Sequence, residues 1–143
     1  MVWKNEYSID IPEIDEQHKL LFACIDRLDA AKDDRGRELA VYFVLEELNE
    51  YVKVHFKVEE IVMRLFDYPG LASHAAEHHK FMARLKSFET IELGHDVHAE
   101  AGSYLREWLI KHIQGSDRHY AAFVLAQQTR DRASANSSVG HNR

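Results

Sequence analysis

Four stretches of this chain repeat apolar side chains every three or four positions, and none of them alternates apolar and polar residues in twos. In the first, Ile14, Leu21, Phe22, Ile25 and Leu28 share a face. In the second, Val41, Val44, Leu45, Leu48 and Val52 do so; in the third, Leu71, Ala75, Phe81, Leu85 and Phe88; in the fourth, Ala101, Leu105, Trp108 and Leu109. That spacing fits a turn of 3.6 residues, so each stretch reads as an amphipathic α-helix. Proline and glycine mark the boundaries. Pro12 opens a helix that runs to about Asp34 and is closed by Gly36. A second runs from about Arg37 to Phe66 and is closed by Pro69-Gly70. A third runs from about Leu71 to Glu92 and is closed by Gly94, and a fourth from about Val97 to Gln114, closed by Gly115. Four such helices with short connections bury their stripes against one another. The expected fold is all-α, an antiparallel up-down-up-down four-helix bundle. An N-terminal arm over residues 1–11 carries Trp3, Tyr7 and Ile9 for packing on it. Residues 117–130, with Tyr120, Phe123, Val124 and Leu125, suit a short C-terminal extra helix. From Asp131 the chain turns to Ser, Asn and Arg, which predicts one domain over 1–130 and a disordered tail over 131–143.

Composition narrows the function classes. A chain of 143 residues is one domain's length. Its net charge of −6 argues against nucleic acid as a partner. No apolar run approaches the roughly 18 residues that cross a bilayer, which argues against a membrane span. The polar, charged N-terminus is unlike a secretory signal. The lone cysteine, Cys24, has no partner for an internal disulfide and sits in an apolar helical stretch, so it reads as a small core residue of a cytoplasmic protein. The acidic composition marks no patch that would set an oligomeric state.

The informative residues are polar ones on the apolar stripes. His18 lies on the first. His55 and Glu59 continue the second, His74 and His78 lie on the third, and His112 continues the fourth. A buried carboxylate without a partner costs several kcal/mol or takes up a proton. A metal ion explains Glu59, because it compensates the charge and binds neutral imidazole. His55 and Glu59 are four residues apart, as are His74 and His78, and that spacing stacks two side chains on one helix face. His79 lies about 100° further round and faces elsewhere. The pairs alone carry little weight, since chance supplies about as many. The weight lies in histidines on the buried stripes of all four helices. His95, His98, His119 and His141 fall in loops, helix ends or the tail and read as solvated.

Taken together, Asp15-Glu16-Gln17-His18, His55-Phe56 with Glu59, His74 and His78 with three residues between them, and Trp108, His112-Ile113 and Asp117 resemble the bacterial hemerythrins. The match runs from about Trp3 to Tyr120 and fills all seven of that family's ligand positions. The resemblance implies two non-haem iron ions. One would take His74, His78 and His112, the other His18 and His55. Glu59 and Asp117 would bridge them together with an oxo or hydroxo group. One geometric difficulty follows. His112 and Asp117 are five residues apart, about 140° round an ideal α-helix. Residues 114–117 must therefore depart from α-helical geometry if Asp117 is to face the same ions.

The resemblance implies reversible binding of dioxygen for storage, transport or delivery, without catalysis, and an oxygen-consuming protein as partner. Five neutral imidazoles and two carboxylates make a less anionic set than the paired Glu-x-x-His motifs of carboxylate-rich di-iron proteins. High-valent iron is then less stabilised, which favours binding over activation. Ile113, Trp108, Leu109, Leu21, Phe22 and Phe56 are the expected lining of a dry oxygen pocket, with Ile113 chosen from the resemblance. An oxygen or redox sensor is an alternative, although the chain shows no fused signalling module. An enzyme, acting on peroxide or nitric oxide, is another, weakened because no buried acid or base is visible beyond the ligand positions.

Overall fold

Asp10 turns the chain into its first helix. Its backbone lies in the left-handed region, at φ 62°, which aspartate tolerates better than most residues. Pro12 then takes the first position of α1 (Pro12–Ala30), where a missing N–H leaves no hydrogen bond unmade. The Asp15 carboxylate accepts hydrogen bonds from the Ser8 hydroxyl at 2.5 Å and the Ile9 amide at 2.9 Å, tying the arm to the helix start. The arm forms a short 3-10 turn, Asn5–Tyr7, and packs as expected: the Trp3 and Tyr7 rings lie 5.5 and 5.2 Å from that of Phe22.

The structure is a computed structural model that describes residues 2–30, 37–89 and 97–141. The expected helix ends near Asp34 and Glu92, with Gly36 and Gly94, lie outside the described residues. Helix α2 (Arg37–Leu65) closes with the Tyr68 amide donating to the Met63 carbonyl at 2.9 Å and the Asp67 amide to that of Arg64 at 3.2 Å. Asp67 supplies the left-handed residue of this cap, at φ 55°. Gly70 follows because a Cβ there would lie 2.7 Å from the Tyr68 ring. Helix α3 (Leu71–Glu89) and helix α4 (Val97–His112) complete the set. α1 packs on α2, α2 on α3, α3 on α4 and α4 on α1, closing the four-helix ring. No strand occurs among the described residues, and no helix among them is long and apolar enough to cross a membrane. The predicted stripes form the core: those of α1 and α2 are buried throughout, whereas Leu71, Ala75 and Trp108 are half-buried. Cys24 is half-buried against that core, and burial raises its thiol pKa.

The far end of α4 differs from expectation in two ways. Gly115 does not close the helix. The chain passes through a π turn, Ile113–Asp117, directly into α5 (Arg118–His141), so the expected short extra helix is 24 residues long and continuous with α4. The departure from α geometry expected at 114–117 is this turn. The second difference is the tail: helix continues through Asp131 to His141, where disorder was expected. Side chains 131–136 are all exposed, so these six residues add nothing to the core. Helix persists because Arg130, Arg132, Ala133 and Ala135 are good helix formers and no proline interrupts them.

Candidate metal centre

Each helix brings its stripe residue to one point in the bundle. His18, Glu59 and Asp117 are 0% exposed, His78 1%, His55 2%, His74 3% and His112 5%. Glu59 Oε1 lies 2.9 Å from His55 Nε2 and 3.7 Å from His78 Nε2. Asp117 reaches both sides of the cluster: Oδ1 lies 3.0 Å from His74 Nε2 and 3.1 Å from His112 Nε2, and Oδ2 lies 3.2 Å from His18 Nε2. The donor atoms form two overlapping groups, each tight enough to hold an ion. Glu59, His74, His78, His112 and Asp117 make one; His18, His55 and Glu59 make the other. The π turn brings Asp117 into place. Its hydrogen bonds run from residue i to i+5, so a side chain five positions on returns over His112.

These groups fit metal ions on their own chemistry. Both oxygens of Glu59 and of Asp117, both nitrogens of His18 and Nε2 of His74 are buried without a hydrogen bond of good geometry. Orphaned buried polar atoms are rare, and so many in one place call for a cation. Burial pushes the His78 pKa down to about 3, although Glu59 pulls the other way, so this imidazole is neutral and able to ligate. Burial would lower His112 too, but Asp117, Glu59 and Glu77 raise it overall. Burial alone would raise the Asp117 pKa; His112, then His18 and His74, draw it well below the carboxylate range.

A second layer of side chains fixes the imidazoles. Gln17 on α1 accepts from His55 Nδ1 on α2 at 2.7 Å. Glu60 on α2 accepts from His78 Nδ1 on α3 at 2.9 Å. Glu77 on α3 accepts from His112 Nδ1 on α4 at 2.8 Å and also from the Ser116 hydroxyl, at 2.7 and 2.9 Å to its two oxygens. Helices α1, α2 and α3 thus each hold a histidine of the helix that follows. A proton kept on Nδ1 leaves the Nε2 lone pair facing inward, as a metal ligand requires. The sequence reading gave Gln17, Glu60 and Glu77 no role in holding the histidines. The available signal was adjacency: each is the chain neighbour of a stripe residue, turned toward the next helix. Tyr120 was also missed. It is fully buried, its ring 5.3 Å from that of His74. Burial, then Glu59 and Asp117, push its phenol pKa far above the ordinary range. The sequence reading used Tyr120 only as one residue of the extra helix.

Aromatic rings close the site. Phe56 stacks on His78 at 3.7 Å and 3° between planes, and Trp108 on His112 at 4.3 Å and 15°. Both also wall an apolar cavity of about 10 Å³, with Leu21 and Leu109 among its other walls. That is room for about one water-sized molecule. Phe22 and Ile113 do not line this cavity. Phe22 is taken up by the Trp3–Tyr7 cluster of the arm. Ile113 is fully buried in the π turn. It follows His112 by one residue, about 100° round, whereas Trp108 and Leu109 precede it by one turn and share its face. His79 and His119 are exposed. The side chains of His95, His98 and His141 lie outside the described residues.

Comparison with known proteins agrees with this geometry. Residues 10–124 match the family model for the hemerythrin HHE cation binding domain. The chain is 33% identical over 127 residues to a bacteriohemerythrin of Stenotrophomonas maltophilia, covering 88% of this chain and 82% of that one. It is 31% identical over 118 residues to a hemerythrin-like protein of Naegleria gruberi, covering 82% and 88% respectively. A crystal structure of wild-type hemerythrin superposes with a TM-score of 0.73 at 28% identity, covering 87% of this chain and 97% of that one. With the fold, the buried His/Glu/Asp cluster and these matches in agreement, the chain belongs to the hemerythrin HHE cation binding domain family.

Proposed function

We propose that this protein binds dioxygen reversibly at a non-haem di-iron centre, for storage, transport or delivery in the cytoplasm, and is not an enzyme. His74, His78 and His112 would hold one iron and His18 and His55 the other, with Glu59 and Asp117 spanning both. The observation that carries this reading is the set of buried, hydrogen-bond-orphaned carboxylate oxygens ringed by imidazole Nε2 atoms. When bound, the two irons supply the electrons that make dioxygen binding possible.

The chain's own residues keep that event reversible. Gln17, Glu60 and Glu77 hold His55, His78 and His112 in the ligating tautomer. Phe56 and Trp108 lie flat on two imidazoles and exclude water from their faces. The cavity beside them has apolar walls and offers no proton donor. Tyr120 keeps its proton, since burial and the two carboxylates oppose its ionisation; it has no character of an acid or base working near neutrality. That argues against an enzyme and leaves no group beside the cavity to supply a proton.

The test is optical. Iron per chain is measured, the protein is reduced without air, and dioxygen is admitted and then removed. An absorption band that comes and goes with the gas is expected. Irreversible oxidation without a stable band would move the reading to a redox sensor or an oxidase.

A further inference from the structure

The outer face of α2 carries an apolar stripe that the bundle does not use. Of the eight large hydrophobic side chains exposed among the described residues, six are on this helix: Leu39, Tyr42, Phe43, Val54, Ile61 and Leu65, between 47% and 74% exposed. At about 100° per residue, all but Tyr42 fall within about 80° of one another, opposite the buried Leu48, Val52 and Glu59. From Leu39 to Leu65 the stripe is about 39 Å long. Single exposed apolar residues are ordinary; five gathered on one helix face mark a contact surface.

The charges on the same face are sorted by sign along the helix. Glu46, Glu47 and Glu50 come before its midpoint, and Lys53, Lys57 and Arg64 after it, with Glu60 turned aside onto His78. Such a face complements itself when turned end over end. A twofold axis beside Val52 brings Leu39 of one copy to Leu65 of the other, Phe43 to Ile61, Glu47 to Lys57 and Glu50 to Val54. A parallel pairing would set Glu against Glu and Lys against Lys. Arg27 already meets Glu47 at 2.8 Å, but both side chains stay 54% exposed and open to a third charge.

We propose that this face joins two copies of the chain, with their α2 helices antiparallel about a twofold axis beside Val52. The contact is isologous, so it closes at a dimer. One helix stripe falls short of the roughly 800 Å² per partner of a standard interface, so the association is in the micromolar range. His55 and Glu59 project from the opposite side of α2, which separates this contact from the metal centre.

Sedimentation equilibrium on the full, metal-loaded chain from about 1 μM to 1 mM tests it. The expected result is a monomer passing to a dimer with concentration. Phe43→Glu and Ile61→Glu each raise the dimer Kd at least about tenfold, with helicity and metal content unchanged as evidence of folding. Lys57→Glu weakens the dimer several-fold, and Glu47→Lys in the same chain restores it. A monomer throughout that range overturns the proposal and leaves the stripe to a different partner. A dimer indifferent to Phe43→Glu and Ile61→Glu overturns it by placing the interface elsewhere. A charge swap that fails to restore the dimer refutes the antiparallel register.

Discussion

Replacing Glu59 by glutamine should move stability and metal binding in opposite directions. The carboxylate is 0% exposed; Oε1 faces His55 Nε2 at 2.9 Å and His78 Nε2 at 3.7 Å, and neither oxygen has a hydrogen bond of good geometry. In the metal-free chain the position is therefore a buried carboxyl group with poor compensation. Replacing buried ionic groups by neutral ones of similar volume often stabilises by about 1–4 kcal/mol. Glutamine remains polar, so the lower half of that range applies, about 1–2 kcal/mol, which raises Tm by about 3–6 °C in a domain of this size. In the iron-loaded chain the sign reverses, because the variant gives up one of the two carboxylates that span the proposed centre. Its iron content should fall well below that of the unmutated protein. Thermal unfolding with and without iron, alongside iron per chain, reads both effects. A variant that keeps its full iron, or whose metal-free form is less stable than the parent, would refute the reasoning. Glu59→Ala should also lose iron but forfeits the stability gain through the cavity it leaves.

Three further outcomes follow from the site. Glu77→Ala removes the acceptor for His112 Nδ1 and for Ser116; metal affinity should drop about 10–100-fold in chelator competition, with the fold intact and partial rescue by Glu77→Gln. The metal-free chain should lose stability as pH falls below 6.5. The unfolded chain takes a proton on His78 near that pH, whereas burial holds the folded imidazole at about 3, so lowering the pH from 6.5 to 5 costs roughly 2 kcal/mol. The raised His112 does not oppose this, since its contribution is already complete below its unfolded pKa. Urea midpoints at the two pH values measure the loss, and an equal midpoint would contradict it. Gly115→Ala should be neutral or stabilise by up to about 1 kcal/mol, because a Cβ there meets nothing within 4 Å. Lost iron in that variant would mean that the π turn depends on glycine.

What the sequence made legible was what periodicity encodes. Ile14, Leu21, Leu48, Leu85 and Leu105 recur at helical spacing and all lie in the core. His18, His55, Glu59, His74, His78 and His112 sat on the same stripes, so their convergence followed from the fold. Gln17, Glu60 and Glu77 lay one step off those stripes, where periodicity describes a helix's own face and nothing of the helix beside it. Phe22 shows the same limit. It shares the stripe of Leu21, yet the arm's Trp3 and Tyr7 claim its ring, and an arm's path across a bundle leaves no periodic mark. The outer stripe of α2 was legible in principle, but a search for buried faces passes over apolar residues that face out.

The π turn explains why α4 and α5 read as two segments. At about 100° per residue, Ala101, Leu105, Leu109 and His112 keep to one line along α4. Continued as an unbroken α-helix, that line would leave Asp117 about 140° away and would put Tyr120 and Val124 about 80–120° off. The i to i+5 turn absorbs one residue and restores the phase. Asp117, Tyr120 and Val124 then return to within about 40° of His112, and all three are buried. The same slip that carries Asp117 to the histidines therefore lets α5 continue the core face of α4. A slip of phase beside a glycine looks like a helix end to any reading that assumes one fixed period. Here the helix goes on, and the slip marks where the last carboxylate enters the cluster.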